Sequence, residues 1–95
     1  MPKAYWIARV TVTDPEQYQH YANAAPEAFK KYGAVILARG GKSEQVEGQG
    51  RARNVVIEFP SLQSALDCYN SAEYQAARAK RQNAGVADIV LVEGV

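Results

Sequence analysis

The segment "KAYWIARVTVTDPEQY", residues 3–18, passes from a β-strand into the first turn of a helix with hardly a residue between them. Lys3 to Val12 is rich in aromatic and β-branched residues, which suit a pleated, half-buried surface. Side chains alternate between the two sides of a strand. One side therefore carries Trp6, Ala8, Val10 and Val12, all apolar, and the other carries Tyr5, Ile7, Arg9 and Thr11, a mixed set. Asp14 stands where its carboxylate can cap a helix, and Pro15 suits the first helical position because an amide there would have no partner. Gln17 completes the spacing of a capping box.

From this junction the helix continues with an apolar stripe of Tyr18, Tyr21, Ala22, Ala25, Phe29 and Tyr32. Pro26 lacks an amide proton and crowds the preceding turn, which predicts a kink or two short helices meeting there; Gly33 ends the segment. Residues 34–47 read as a second strand, and "GQGR" after it supplies glycines for a tight hairpin. The returning strand is "RNVVIEF", with Val55, Ile57 and Phe59 on one face and Asn54, Val56 and Glu58 on the other. Pro60 stops it, Ser61 caps a helix with the stripe Leu62, Ala65, Leu66 and Tyr69, and Asn70 and Ser71 mark a break and a new cap. Tyr74, Ala77, Arg78 and Arg81 share one face of the next helical piece, Gly85 closes it, and "VADIVLVEGV" is the last strand.

The order strand, helix, strand, strand, helix, strand is the split βαβ arrangement of an α+β, ferredoxin-like βαββαβ domain. Right-handed crossovers place strand three between strands one and two and give an antiparallel sheet ordered 4-1-3-2. Both helices then cover one face, with Trp6, Ala8, Val10, Val12, Val55, Ile57 and Phe59 beneath them. The other face keeps Tyr5, Ile7, Val56 and, near the second strand, Val35 and Leu37, too much apolar surface to leave in water. The economical cover is a second copy packed sheet to sheet about a two-fold axis, a homodimer.

Ninety-five residues make a single domain spanning 1–95, because a chain this short buries only about 60 to 65% of its unfolded surface. With 47% hydrophobic and 22% charged residues the balance is that of an ordinary soluble protein. A net charge of +1 gives no general field toward nucleic acid or anionic lipid, so neither nucleic acid nor membrane is expected as a partner. The single cysteine, Cys68, excludes an internal disulfide and any multi-cysteine metal site. Together with an N-terminus lacking a signal pattern, it points to the cytoplasm.

Few motifs carry chemistry. In "ILARGGKSEQVEGQG", residues 36–50, the glycine pair reads as a bulge or bend and "EGQG" as a turn; "GGK" lacks the spacing of a phosphate-binding loop. Arg39 requires a partner or a cavity, because an arginine in an apolar strand is costly to bury alone. Glu58 lies between Arg9 and Arg39 if both arginines share its face, which would make a structural ion triad or a ligand site; a bulge at Gly40 would move Arg39 to the other face. His20 lies off the apolar stripe and reads as solvated, Cys68 as a small buried hydrophobe, and the tyrosines at 18, 21, 69 and 74 as mainly packing residues. The third strand has no RNA-binding aromatic signature, and the one histidine offers neither a triad base nor metal-ligand spacing.

The elements "ARGG", "VEG", "IEFPS" and "SAEYQ", at this spacing along the whole chain, resemble the domain-of-unknown-function 1330 family of the dimeric α/β-barrel superfamily. The resemblance implies a ferredoxin-like protomer whose sheet packs against a partner's. It marks Tyr21, Arg39, Gly40, Gly41, Glu47, Gly48, Glu58, Phe59, Pro60, Ser71 and Tyr74 as family-pattern positions, with Cys68 standing where the family often has a bulky aromatic. Beside that resemblance, the expected function is binding of a small molecule in a cavity between sheet and helices, rimmed by Tyr21, Arg39, Glu58, Ser71 and Tyr74, without metal or other cofactor. A cofactor-free enzyme, oxygenase- or isomerase-like with Glu58 as its acid or base, is the alternative, and a purely structural dimer is a third.

Overall fold

The computed structural model describes residues 2–95. The chain runs β1 (Ala4–Val12), α1 (Pro15–Lys31), β2 (Val35–Arg39), β3 (Arg53–Phe59), α2 (Leu62–Tyr69), α3 (Ala72–Ala79) and β4 (Gly85–Glu93). The four strands form one sheet in the order β2-β3-β1-β4, antiparallel throughout, which is the expected ferredoxin-like α+β topology.

Each helix starts where a short polar side chain can satisfy its free amides. Asp14 accepts from the Gln17 amide at 3.2 Å, Ser61 from the Ser64 amide at 3.1 Å and Ser71 from the Tyr74 amide at 3.1 Å. The capping box does not close, because the Gln17 side chain donates instead to the Lys80 carbonyl at 2.6 Å and ties α1 to the end of α3. Gly33, with φ at 76°, ends α1 by a left-handed turn in which Gly33 donates to the Lys30 carbonyl and Ala34 to the Phe29 carbonyl. α1 is a single helix through Pro26, where two shorter pieces were an open expectation. Burial of Tyr18 before the proline and of Ala28 and Phe29 after it keeps both halves seated despite the lost hydrogen bond.

The core lies between the sheet and the helices. Trp6, 1% exposed, is its centre: Tyr74 and Phe29 meet its ring edge to face at centroid distances of 4.9 and 5.0 Å, and Phe59 stacks at 6.0 Å. Such aromatic pairs add about 0.5–1.5 kcal/mol each beyond the area they bury. On α2 the buried residues are Ala65 and Cys68, while Leu66 is exposed, so the buried stripe is turned from the expected one. The expected break at Asn70–Ser71 is present between α2 and α3.

Two expectations about the middle of the chain are corrected. β2 ends at Arg39 and does not reach residue 47, and no tight hairpin forms at "GQGR". Gly40 takes φ at 67° and donates to the Asn54 carbonyl at 2.9 Å, after which residues 41–52 form an exposed loop. That polar segment meets the sheet through side-chain hydrogen bonds, Gln45 accepting from Arg9, Ser43 from Asn54 and Arg51 donating to Asp88 and Thr11; its one large apolar side chain, Val46, stands in solvent. Gly85 also begins β4 and does not end the preceding helix, which stops at Ala79.

The face of the sheet away from the helices carries Tyr5, Ile7, Val56, Val35, Val90 and Val92, by the pairing of Tyr5 with Glu58 and Val92 and of Ile7 with Val56 and Val90. Val35, Val90 and Val92 are 51%, 54% and 44% exposed. None of the described residues covers them. None of the helices is long and apolar enough, among the described residues, to cross a membrane.

Candidate functional site

Between α1 and the sheet lies a cavity of about 420 Å³. It exists because α1 packs chiefly against α3, while α2 is the helix that sits down on β1, β3 and β4. Trp6, Ala8 and Val10 of β1, Val55 and Ile57 of β3, and Ala87 and Ile89 of β4 form its floor. Tyr18, Tyr21, Ala22, Ala25, Pro26 and Phe29 of α1 form its roof, and Gln19, Asn23, Ile36, Arg39, Arg53 and Arg81 complete the lining. None of these is Asp, Glu, His, Lys or Cys.

The placement of Arg39 depends on one residue. Val35 pairs with Glu58 and Ile36 with Ile57, but Ala38 then pairs with Val56 and Arg39 with Val55, with the register shift lying between Ile36 and Ala38. Leu37 is the additional residue. A regular strand would set Arg39 opposite Asn54 on the uncovered face, because a one-residue slip exchanges the two faces. The bulge brings it to the helix face, level with Val55. The expected face change is therefore real, but it originates at Leu37 and not at Gly40.

That change separates the residues of the sequence-based triad. Glu58 faces away from the cavity and pairs with Lys3 at 3.4 Å, while Arg9 donates to Asn54 Oδ1 at 3.1 Å and to Gln45. Glu58 does not line the cavity. Ser71 does not either: its hydroxyl caps α3 and donates to the Cys68 carbonyl at 2.7 Å. Tyr74 is fully buried just behind the wall, its hydroxyl 2.9 Å from that of Tyr21. Of the five candidates, then, Tyr21 and Arg39 line the space and Tyr74 supports it.

Arg53 and Arg81 were not among those candidates. Arg53 shares the parity of Val55, Ile57 and Phe59, which in retrospect places it on the helix face from sequence alone. Its guanidinium lies over the Tyr18 ring at 5.5 Å, and its Nε is the one buried side-chain nitrogen or oxygen without a hydrogen-bond partner among the described residues. The same guanidinium occupies the space a Cβ at Gly40 would take, so the glycine after Arg39 serves both the left-handed turn and the seating of Arg53. Arg81 lies over the Tyr21 ring at 5.0 Å. Burial works against its charge, but interaction with the Tyr74 and Tyr21 hydroxyls outweighs this and holds its pKa above the usual value. Burial, reinforced by the neighbouring Tyr74, pushes the Tyr21 phenol well above its ordinary range, so it is a neutral hydrogen-bonding group. Cys68 is buried, and its thiol is pushed up to about 12 by burial and then by the charge of Glu73, so it is no nucleophile. Among the described residues no three His, Cys, Asp or Glu side chains gather as metal ligands would.

Several solved structures share this fold. A protein of unknown function from Rhodopseudomonas palustris is 14% identical, with 99% of this chain and 83% of that one covered and a TM-score of 0.76. SnoaB, a cofactor-independent oxygenase from Streptomyces nogalater, is 7% identical over 100% of this chain and 95% of its own, with a TM-score of 0.72. A dimeric protein of unknown function and ferredoxin-like fold from Bacteroides fragilis is 18% identical, covers 97% and 96% and has a TM-score of 0.58. At these identities the likeness is one of fold. No curated protein matches the chain in sequence. Residues 3–95 match the model of the domain of unknown function DUF1330, and the chain belongs to that family.

Proposed function

We propose that the protein is a homodimer that binds a small molecule in the cavity between α1 and the sheet. The observation that carries this reading is the cavity itself, whose 420 Å³ lie within the range of about 300–1,000 Å³ usual for small-molecule sites. Its floor and roof are built on aromatic and aliphatic residues, and Gln19, Asn23, Arg39, Arg53 and Arg81 supply the polar groups that would orient a ligand. Dimerisation through the uncovered sheet face would shelter Val35, Val90 and Val92 and brace the cavity floor from below. The dimeric Bacteroides fragilis protein of the same fold supports this assembly.

Binding is favoured over catalysis by what lines the cavity. Acid–base chemistry calls for a group that titrates near the working pH, and the lining offers only tyrosine and arginine for that role. Glu58, the base that the enzymatic alternative invoked, faces the other side of the sheet. The shared fold of SnoaB does not replace it.

Two measurements test the reading. Filling the cavity with Ala22→Phe should abolish ligand-induced amide shifts in an NMR fragment screen while leaving the folded spectrum intact; shifts that persist would place binding elsewhere. Sedimentation should give twice the 10.4 kDa chain mass, and Val90→Asp should reduce it to one. A wild-type monomer in dilute solution would refute the dimer.

A further inference from the structure

We propose that the cavity selects anions, specifically a small aromatic carboxylate whose charged end meets Arg39 and Arg53 while its ring lies among Trp6, Tyr18 and Phe29. The inference rests on the cavity being a binding site and adds the chemical class of its ligand. Three guanidinium groups line a space that contains no carboxylate, in a chain whose net charge is only +1. The positive charge is therefore local to the cavity. The salt bridges found among the described residues join Lys3 to Glu58, Lys31 to Glu73 and Arg51 to Asp88, and none involves a cavity arginine.

Arg53 carries the argument furthest. Stacking on Tyr18 satisfies the face of its guanidinium but not its edge, and its buried Nε has no acceptor. A buried donor without a partner is destabilising until an acceptor arrives, and a carboxylate can meet the planar guanidinium fork with two parallel hydrogen bonds. Arg53 reaches Gly40, next in the chain to Arg39, so the two cations stand at the same end of the cavity. Arg81 over Tyr21 adds a third on the side nearer α3. A cationic ligand would meet three like charges there. An inorganic anion would leave the aromatic walls unused.

Calorimetric titration with 2-naphthoate and with neutral 2-naphthamide, which has the same ring system, tests the inference on the intact protein. The carboxylate should bind at least about tenfold more tightly, which corresponds to about 1.4 kcal/mol. Arg53→Gln should remove most of that preference, and so should Arg39→Gln, an exposed position where the fold is safe; thermal melts verify both variants. Added salt should weaken naphthoate and leave naphthamide unchanged. Equal binding of the two probes, a preference unaffected by either arginine variant, or tighter binding of inorganic phosphate than of naphthoate would overturn the inference while the binding cavity stands. Failure of every probe to bind would overturn the cavity reading itself.

Discussion

The hydroxyls of Tyr21 and Tyr74 are each other's partners at 2.9 Å, between a helix lining the cavity and a residue with no exposure, and this pairing yields a quantitative test. Tyr74→Phe removes one hydroxyl and leaves Tyr21 without its partner; Tyr21→Phe does the reverse in the more buried position. A lost hydrogen bond is worth about 0.5–1.5 kcal/mol net, and a buried polar group left alone costs about 1–3 kcal/mol. Each single variant should therefore lose about 1–2 kcal/mol, the surviving hydroxyl keeping its interaction with Arg81. The double variant removes both groups together and should be no worse than the poorer single one, giving a coupling of about 1–2 kcal/mol. Urea unfolding followed by circular dichroism, at one fixed protein concentration, measures the four corners of the cycle. A difference of 1 kcal/mol also moves the melting temperature by about 4–8 °C in a domain of this size. If the two single losses simply add, the hydroxyls are satisfied independently and the pairing is not what holds the cavity wall.

Three further outcomes follow from the geometry. Cys68 ionises near 9.0 when free and is held up to about 12 in the fold, so the stability its neutral thiol contributes is complete below pH 9 and is lost as the pH climbs toward 12. Tyr21 acts in the same direction above its ordinary 10.0, so urea midpoints should fall from pH 8 to pH 10.5 and fall less in Cys68→Ala; a midpoint rising with pH would contradict both burials. Gly40→Ala should cost about 1–2 kcal/mol from its left-handed backbone alone, and more because the new methyl meets the Arg53 guanidinium; an unchanged melting temperature would show that the turn and the arginine rearrange freely. Glu58→Gln should change stability by no more than about 1 kcal/mol, since its partner Lys3 is mostly exposed, and should leave ligand affinity unaltered; a large loss of binding would return Glu58 to the site.

Much of the fold was legible along the chain because it depends on local chemistry. Asp14, Ser61 and Ser71 cap helices wherever a free amide follows at the right spacing, and Gly33 turns left-handed because only glycine does so without strain. The alternation in β1 and β3 is equally local, and with the order of elements it determined the sheet, the buried core under the helices and the uncovered apolar face. The candidate site was less legible. Two of its three cations are placed by contacts distant in sequence: Arg39 by a bulge that exists only against the partner strand β3, and Arg81 by the meeting of α3's end with α1. A one-residue slip leaves no trace in the periodicity of "VILAR", yet it carries a charged side chain from one face of the sheet to the other. Strand pairing, which only the assembled tertiary structure supplies, decided that Arg39 enters the cavity and that Glu58 remains outside it.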